Sequence, residues 1–435
     1  MTISLNSGTS SYPSGNLFAG ISYGSGVSIM DAQGNFIQSQ NYGGVPFTRL
    51  QSVRKRTDNE FYFVHGVIAD SCTVEASLEV DPVFGKMDSL GNILSLHHYQ
   101  LNAITCNNNA LDLIITSDAG AVLWGRNESF YALRVDQAGS PLWSKQFDHH
   151  GSFTFVRELP NGDLIAGFNM DTAGVALARL SAAGDILWCK SYIRPRGHVV
   201  DCLVESDDSF IVTGYTDSIA STNVFIPLPT DYQPKLFMMK LDGSGDVEWC
   251  KGYAGEPRWY SRSAVNIERT LDSNYVVLAT IGEESHNIQY RPFLMKTDQN
   301  GDTLWTRSVG ATGYIYGTAY LMASPDGGYY YNGTAWGDFG QWSGAAYLFK
   351  TDSLGHLPCH ERTHPVEVMD FFPTDSSFTL SYVEGAVAIT TSNSDVTYDP
   401  IVVYDGCTFA TGLSPKSYQA KRMNGNRCMG RVVVN

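Results

Sequence analysis

Residues 240–253, KLDGSGDVEWCKGY, decide the fold of this chain. Apolar and polar residues alternate before and after the segment Asp242-Gly-Ser-Gly245, which is typical of two half-buried β-strands. The segment itself has the chemistry of a tight turn, because aspartate bonds the backbone two residues on and glycine adopts positive φ. The stretch therefore predicts a β-hairpin.

The same hairpin recurs along the chain. Its pattern is basic-x-Asp-x-x-Gly, with Trp four residues after Gly, a basic residue two later and an aromatic residue two later. Seven copies are present, at intervals of 45 to 61 residues. A unique catalyst cannot occupy every copy, so we interpret the repeated aspartates and tryptophans as structural: Asp136, Trp143, Trp188, Asp242, Trp249, Asp298, Trp305 and Asp352.

Two further strands precede each hairpin. In the fourth copy they are FTFVREL, residues 153–159, and NGDLIAGF, which ends at Phe168. Each copy thus supplies four strands, named a to d, and four-stranded units at this period are typical of propeller blades. Residues 1–360 are therefore predicted to form an all-β, seven-bladed β-propeller of four-stranded antiparallel blades. Six or eight blades, an open stack of hairpins and a sandwich are the alternatives.

Residues 361–435 follow the seventh copy. They alternate strongly, as in HPVEVMDFFPTDSSFTLSYVEGAVAITT, and predict a β-rich C-terminal extension. This extension is expected to pack on the outside or the end of the propeller, or to contribute a closing strand.

Composition limits the partners and the location. A formal net charge of -15 argues against nucleic acid, whose binding needs Lys and Arg to neutralise phosphate. No stretch of about 18 apolar residues is present, so no membrane span is expected. The first residues contain neither a basic segment nor an apolar one, so no signal peptide is visible.

The eight cysteines are dispersed and include no CxxC pair, which argues against a zinc site. Cys189 and Cys250 each follow a repeat tryptophan and are expected to line the core as small apolar residues. Cys359 and Cys407 flank the region after the repeats, and we expect a disulfide between them.

Catalytic signatures are absent from the sequence. His356, His360 and His364 have helical metal-site spacing, but Pro358 and Pro365 prevent a helix there. There is no GxSxG, HExxH or P-loop motif, and no metal or cofactor is expected. A pair of carboxylates remains the one enzymatic alternative, because glycoside hydrolysis requires only two.

The most variable part of each copy is the connection between strands b and c. In a propeller these b–c loops and the d–a connections emerge on one face, and insertions on one face commonly mark a binding surface. Aromatic and arginine side chains are typical anchors of such surfaces. The candidates on this loop face are Trp259, Tyr260, Tyr290, Tyr314, Tyr316, Trp336, Trp342 and Arg258.

Four features of the chain resemble a known family. They are the KxDxxGDxxWxK hairpins, Gly355-His-Leu-Pro-Cys359, Pro365-Val-Glu-Val and Tyr404-Asp-Gly-Cys407. They resemble secreted Bacteroidetes repeat propellers exported by the type IX secretion pathway. Residues 423–434 are similar to the opening of a type IX sorting domain, in a truncated or degenerate form without its prolines. The resemblance implies an extracellular or cell-surface location.

The leading hypothesis is a non-enzymatic surface binding or adhesion module that recognises a protein or glycan through the b–c loop face. One alternative is a structural or decoration component of a large particle, such as a phage or contractile injection system, held by other subunits. The other alternative is a polysaccharide-active hydrolase or lyase with carboxylates around the central channel.

Overall fold

The computed structural model describes residues 10–11, 17–21, 25–30, 36–43, 47–68, 80–101, 109–126, 130–148, 151–170, 174–192, 197–216, 236–255, 259–283, 289–309, 314–337, 345–357, 361–385, 387–391, 395–397, 402–405 and 431–434. Regular structure in these segments is entirely β-strand, without a helix. The strands form seven sheets of five strands each.

Consecutive strands form the body of each sheet, in antiparallel order from strand a to strand d. Sheet 1 contains β1 (Ser10–Ser11), β2 (Leu17–Ile21), β3 (Ser25–Met30) and β4 (Phe36–Gly43). Sheet 2 contains β5 (Phe47–Thr57), β6 (Glu60–Ile68), β7 (Val80–Asp88) and β8 (Ile93–Leu101). Sheet 3 contains β9 (Asn109–Ile115), β10 (Ala121–Arg126), β11 (Phe130–Val135) and β12 (Pro141–Asp148). Sheet 4 contains β13 (Gly151–Glu158), β14 (Leu164–Met170), β15 (Gly174–Leu180) and β16 (Ile186–Tyr192). Sheet 5 contains β17 (Gly197–Val204), β18 (Phe210–Thr216), β19 (Leu236–Leu241) and β20 (Val247–Gly255). Sheet 6 contains β21 (Trp259–Arg269), β22 (Tyr275–Glu283), β23 (Gln289–Thr297) and β24 (Thr303–Val309). Sheet 7 contains β25 (Tyr314–Ala323), β26 (Tyr329–Gly337) and β27 (Ala345–Thr351).

The repeat aspartate forms the turn between strands c and d. Asp242 Oδ1 accepts hydrogen bonds from the backbone N–H groups of Ser244 (2.8 Å) and Asp246 (2.9 Å). Gly245, at φ 79°, donates its N–H to the Asp242 carbonyl. The same carboxylate-to-backbone bonds occur at Asp88, Asp136, Asp298 and Asp352.

The basic residue that opens the repeat pairs within its own sheet. It reaches a carboxylate in the turn between strands a and b, as in Arg179–Asp163 (2.8 Å) and Lys296–Asp272 (2.7 Å). Sheets 3, 4, 6 and 7 thereby tie their two turns together at the same end, called here the turn face.

The remaining repeat residues join neighbouring sheets. Trp188 Nε1 donates to the Gly243 carbonyl (3.3 Å), and Tyr192 Oη donates to the Gly245 carbonyl (2.7 Å) of the next sheet. Lys190 Nζ lies 2.6 Å from Asp246 in that same turn. Trp143, Lys145, Lys251 and Tyr253 make the corresponding contacts elsewhere. The recurring motif therefore joins each hairpin to the next one.

The core lies between the sheets rather than within one of them. Apolar clusters fill the spaces between sheets 2 and 3, 3 and 4, 4 and 5, 5 and 6, and 6 and 7. Cys189 and Cys250 are free thiols buried in these clusters, which confirms their expected core position. Cys359 and Cys407, and hence their expected disulfide, lie outside the described residues.

The C-terminal segment supplies the fifth strand of every sheet. Its strands are β28 (Glu361–Arg362), β29 (Val366–Asp370), β30 (Asp375–Ser377), β31 (Ser381–Glu384), β32 (Val387–Thr391), β33 (Asp395–Thr397), β34 (Val402–Asp405) and β35 (Arg431–Val434). From β28 to β33 they pair with sheets 6, 5, 4, 3, 2 and 1 in that order, each antiparallel to strand d. We call this segment the belt, because it crosses the sheets against the direction of the chain.

The belt advances by one sheet every seven residues. Lys251, Lys190, Lys145 and His97 occupy the same place in their d strands, and their belt partners are Asp370, Ser377, Glu384 and Thr391. Seven extended residues reach at most about 23 Å, so each heptad pairs briefly and then crosses to the next sheet. Belt side chains also cover the clusters between sheets, among them Val368, Phe371, Leu380 and Val387.

Sheet 7 is completed differently from the others. Its order is β25-β26-β27-β35-β34, so β35 takes the place of strand d and lies parallel to both β27 and β34. The end of the belt therefore contributes the closing strand that the sequence left open as an alternative.

The expected blades are confirmed in part and corrected in part. Four consecutive antiparallel strands form the body of sheets 1 to 6, as expected, but the belt adds a fifth strand whose partners lie far away in sequence. The expected count of seven blades is also not met by the described packing. Sheets 2–7 form six blades with described side chains, whereas sheet 1 is described by its backbone pairing alone. The all-β propeller architecture itself is confirmed.

Candidate functional site

First strands of successive sheets meet one another at the centre of the propeller. β5, β9, β13, β17, β21 and β25 form a contiguous series of neighbours. Each of these strands has a β-bulge at the same level of the propeller. We call the first paired residue after that bulge the post-bulge position. Its occupants are Ser52, Asp112, Phe155, Asp201, Asn266 and Tyr320. Bulges at equivalent positions redirect side chains, often beside functional sites.

Titratable side chains from these strands form one group, which we call the axial cluster. Its members are Arg54, Asp112, Arg157, Asp201, Glu268 and Tyr320. Arg54, Arg157 and Glu268 lie two residues after the post-bulge position, on the same strand face. Sheets 2 to 7 thus each contribute one residue to a single electrostatic network.

Arg54 and Asp112 form a bidentate pair between sheets 2 and 3. Arg54 Nη2 lies 2.9 Å from Asp112 Oδ1 and 2.8 Å from Oδ2, and the guanidinium lies over the Tyr320 ring at 5.2 Å. Burial acts to lower the pKa of Arg54, but Asp112 and Tyr320 outweigh it and raise that pKa above its ordinary value. The side chains keep 23% and 17% exposure, so the pair borders solvent-accessible space.

Arg157 and Asp201 form the second pair, between sheets 4 and 5. Arg157 Nη2 bonds Asp201 Oδ1, and its Nε donates to the Cys202 carbonyl at 3.1 Å. The backbone N–H of Cys202 donates to Asp201 Oδ1 (2.8 Å) and that of Ile267 to Oδ2 (3.3 Å). These donors hold the Asp201 carboxylate in place.

Glu268 differs from the other two carboxylates. No hydrogen bond from any described residue reaches its side chain. Burial, followed by the charge of Asp201, raises the pKa of Glu268 to about 7 against the opposing influence of Arg157 and Arg54. It therefore changes charge near neutral pH, while burial raises the pKa of nearby Tyr320 to about 12.

The sequence-predicted loop-face residues lie at the opposite end of the sheets from the turn face. Trp259 and Tyr260 open β21, Tyr290 lies in β23, Tyr314 and Tyr316 in β25, and Trp336 in β26. Backbone pairing places Trp259 opposite Glu283, Tyr290 opposite Gly282 and Trp336 opposite Ile315. Tyr290 is half-buried, whereas the other side chains of this set, with all of Arg258 and Trp342, lie outside the described residues.

The sequence analysis did not identify the axial cluster. Its members carry no repeated motif, because the residue type at the equivalent position varies between sheets. One signal was present: a charged residue inside an apolar first strand, as in FTFVREL for Arg157 and HVVDCL for Asp201. Among the described residues, no three His, Cys, Asp or Glu side chains come together as a ligand set for a metal ion.

Comparisons with known proteins give distant structural likenesses only. No family model and no curated protein matches the sequence. A Bacteroides caccae protein of unknown function is similar over 65% of this chain and 89% of its own, at 11% identity and a TM-score of 0.39. A eukaryotic initiation factor (86% and 89% coverage, 10% identity, TM-score 0.36) and an apocarotenoid oxygenase variant from Synechocystis (85% and 74%, 12%, 0.28) are also similar.

Helices long and apolar enough to cross a membrane do not occur in the described segments.

Proposed function

We propose that this chain is a non-enzymatic binding module that recognises a protein or glycan with its loop face. The supporting observation is the asymmetry between the two ends of the sheets. At the turn face, the described turns are short and held by their own carboxylates. At the loop face, β21 to β23 and β25 to β26 extend into an aromatic-rich end whose connections differ in length from sheet to sheet.

A paired set of triple variants tests the loop face. Trp259, Trp336 and Trp342 are replaced together by alanine, and binding to a glycan array and to immobilised surface proteins is measured. The control replaces Leu142, Leu187 and Leu304, which are 54%, 53% and 52% exposed beside the turn face. We expect at least a tenfold loss in the tryptophan variant and none in the leucine variant. Unchanged binding by the tryptophan variant contradicts the proposal.

A polysaccharide-active hydrolase or lyase is the second candidate. The charge of Asp201, which pairs with Arg157, acts on Glu268, whose pKa is raised to about 7 mainly by burial. Two neighbouring carboxyl groups are what glycoside hydrolysis requires. Release of reducing ends or unsaturated products from a polysaccharide panel by the intact protein, abolished in Glu268→Gln and Asp201→Asn, would support this candidate over the first.

Export to the cell surface is part of the leading proposal. It rests on the resemblance carried by the repeat hairpins and by Pro365-Val-Glu-Val and Tyr404-Asp-Gly-Cys407, which belong to the belt region. Protease treatment of intact cells of the source organism, followed by immunoblotting, should remove the protein. Full protection in intact cells and loss only after lysis contradicts surface exposure.

A further inference from the structure

The axial cluster has one more carboxyl group than its guanidinium groups neutralise. Arg54 is paired with Asp112 and Arg157 with Asp201, which leaves Glu268 without a cationic partner of its own. Glu268 lies two residues after the post-bulge position of its strand. On β9, β17 and β25 the corresponding residue is apolar: Ile114, Leu203 and Met322. The described lining of the axis is therefore negative by one charge when Glu268 is ionised.

Unsatisfied polar atoms occur at the same level of the propeller. Ser52 Oγ and Asn266 Oδ1 are at post-bulge positions, Thr154 Oγ1 is at the bulge of β13, and Thr213 Oγ1 is on β18 opposite Asp201. None of these buried atoms has a hydrogen-bond partner among the described residues, and Ser52 and Thr213 are fully buried. Buried polar atoms are normally paired with protein or water, so these four mark a level of the propeller where the described residues leave hydrogen-bond partners missing.

These atoms and Glu268 share an ability to accept hydrogen bonds. An amide oxygen and a carboxylate only accept, and hydroxyl groups accept as well as donate. A partner that satisfies all of them must be rich in donors. An ammonium group has three donors and a guanidinium group five, and both carry the positive charge that the axis lacks.

We propose that the axis of the propeller binds a cationic organic group, an ammonium or guanidinium, held by Glu268 and Asn266 beside the paired Asp201. The aromatic ring of Tyr320, which already lies against Arg54, offers a face for a second cation. A free anion does not suit this site, because both guanidinium groups are engaged by carboxylates. A metal ion does not suit it either, since the described carboxylates are not arranged as a ligand set.

Four compounds of matched length test the proposal by titration calorimetry on the full chain. Agmatine and 1,4-diaminobutane are the cationic probes, 1,4-butanediol is the neutral control and succinate the anionic one. We expect saturable binding of one or both cations and none of the diol or succinate. Absence of saturable cation binding, or equal binding of succinate, overturns the proposal.

Two variants locate the binding. Glu268→Gln removes the unpaired carboxylate and should weaken cation binding at least tenfold. Glu248→Gln removes the same charge from the outer strand β20, where Glu248 pairs with Lys240, and should leave the affinity unchanged. Equal weakening in both variants, or none in Glu268→Gln, contradicts a site at the axis. The triple tryptophan variant of the loop face should bind the cations normally, which separates this proposal from the preceding one.

The pH dependence of the unmodified protein decides the question if Glu268→Gln does not fold. The charged groups that act on Glu268 are Asp201, Arg157 and Arg54, and the pKa of Glu268 itself is raised to about 7. Cation affinity should therefore rise between pH 5.5 and 7.5 and become constant above about pH 8. An affinity that is constant from pH 5.5 to 8.5 overturns the proposal.

Discussion

Glu268 shows how the position of one residue fixes its chemistry. A carboxyl group is ordinarily ionised at neutral pH, but this one is desolvated by burial and lies near the charge of Asp201. The folded protein therefore holds a proton that the unfolded chain releases between its ordinary pKa, 4.5, and about 7. Because the folded state binds the additional proton, stability falls as the pH rises through this interval.

Replacing Glu268 with glutamine should therefore stabilise the protein at alkaline pH. We expect Glu268→Gln to have the wild-type free energy of unfolding near pH 4.5 and a value higher by on the order of 2 kcal/mol at pH 8. Urea unfolding followed by tryptophan fluorescence at both pH values measures this difference. A variant that is less stable than wild type at pH 8 shows that Glu268 is not held in its neutral form.

Gly245 and Gly162 form a matched pair for the repeat turn. Both have positive φ, but a Cβ at Gly245 would lie 2.8 Å from the Trp188 ring of the neighbouring sheet, whereas one at Gly162 meets nothing closer than 4.0 Å. Gly162→Ala should lower the free energy of unfolding by about 1 kcal/mol through backbone strain alone. Gly245→Ala should lower it by about 3 kcal/mol because the contact with Trp188 adds overpacking. Equal losses in urea unfolding contradict the role of the turn in joining sheets.

At the scale of elements, the belt explains why the d strands are not edges. A free edge strand presents unpaired backbone groups that invite aggregation. Backbone N–H groups of Phe371, Phe378 and Gly385, each seven residues apart, donate to the carbonyls of Cys250, Cys189 and Ser144. Lys145 joins its own sheet to both the next sheet and the belt. It contacts Asp185 of the next sheet, and Glu384 and the Tyr382 ring of the belt.

Truncation after Gly385 should expose some sheets and leave others intact. It removes β32 to β35, and therefore the belt strands of sheets 2, 1 and 7, while β28 to β31 remain on sheets 6 to 3. Hydrogen exchange with mass spectrometry should show lost protection in β8, β4 and β27 and unchanged protection in β16, β20 and β24.

A full-length chain with Phe372→Ala is the matched control for this truncation. Phe372 lies in the belt but is 84% exposed, so its replacement should not alter protection in any sheet. Uniform loss of protection across all sheets in the truncated chain would mean that the belt stabilises the propeller as one unit rather than sheet by sheet.

At the scale of the whole molecule, the turn-face carboxylates set the acid limit of stability. Hydrogen bonds from Lys296 and Thr270 lower the pKa of Asp272 to about 2, and similar bonds lower the pKa values of Asp118 and Asp185. Their contribution is present above the ordinary pKa of 3.8 and is lost as the pH falls through the lower folded values. Glu268 has the opposite influence between pH 4.5 and 7.

Stability should therefore be greatest near pH 5 and decline on both sides. Urea midpoints between pH 2.5 and 8 measure the profile. Asp272→Asn should flatten the decline below pH 4, and Glu268→Gln the decline above pH 5. A midpoint that rises continuously up to pH 8 would contradict the assignment of Glu268.

The sequence alone determined the repeating unit. The KLDGSGDVEWCKGY pattern specified the hairpin because its turn bonds and strand alternation involve residues within a few positions of one another. Seven copies then indicated a propeller, since a single blade cannot bury both of its faces. Even the contacts between sheets use repeated residues, so their places could be read along the chain.

Only the tertiary structure decided where the belt runs and which side chains meet at the axis. Belt strands pair with residues far away in sequence, as Glu384 does with Lys145. The composition of the seven-residue belt segments does not reveal in which direction the belt crosses the sheets. The axial residues come from six sheets, and their residue types vary from sheet to sheet, whereas the residues of the repeat recur. Their proximity follows from the arrangement of the sheets around a common centre, which no local stretch of sequence contains.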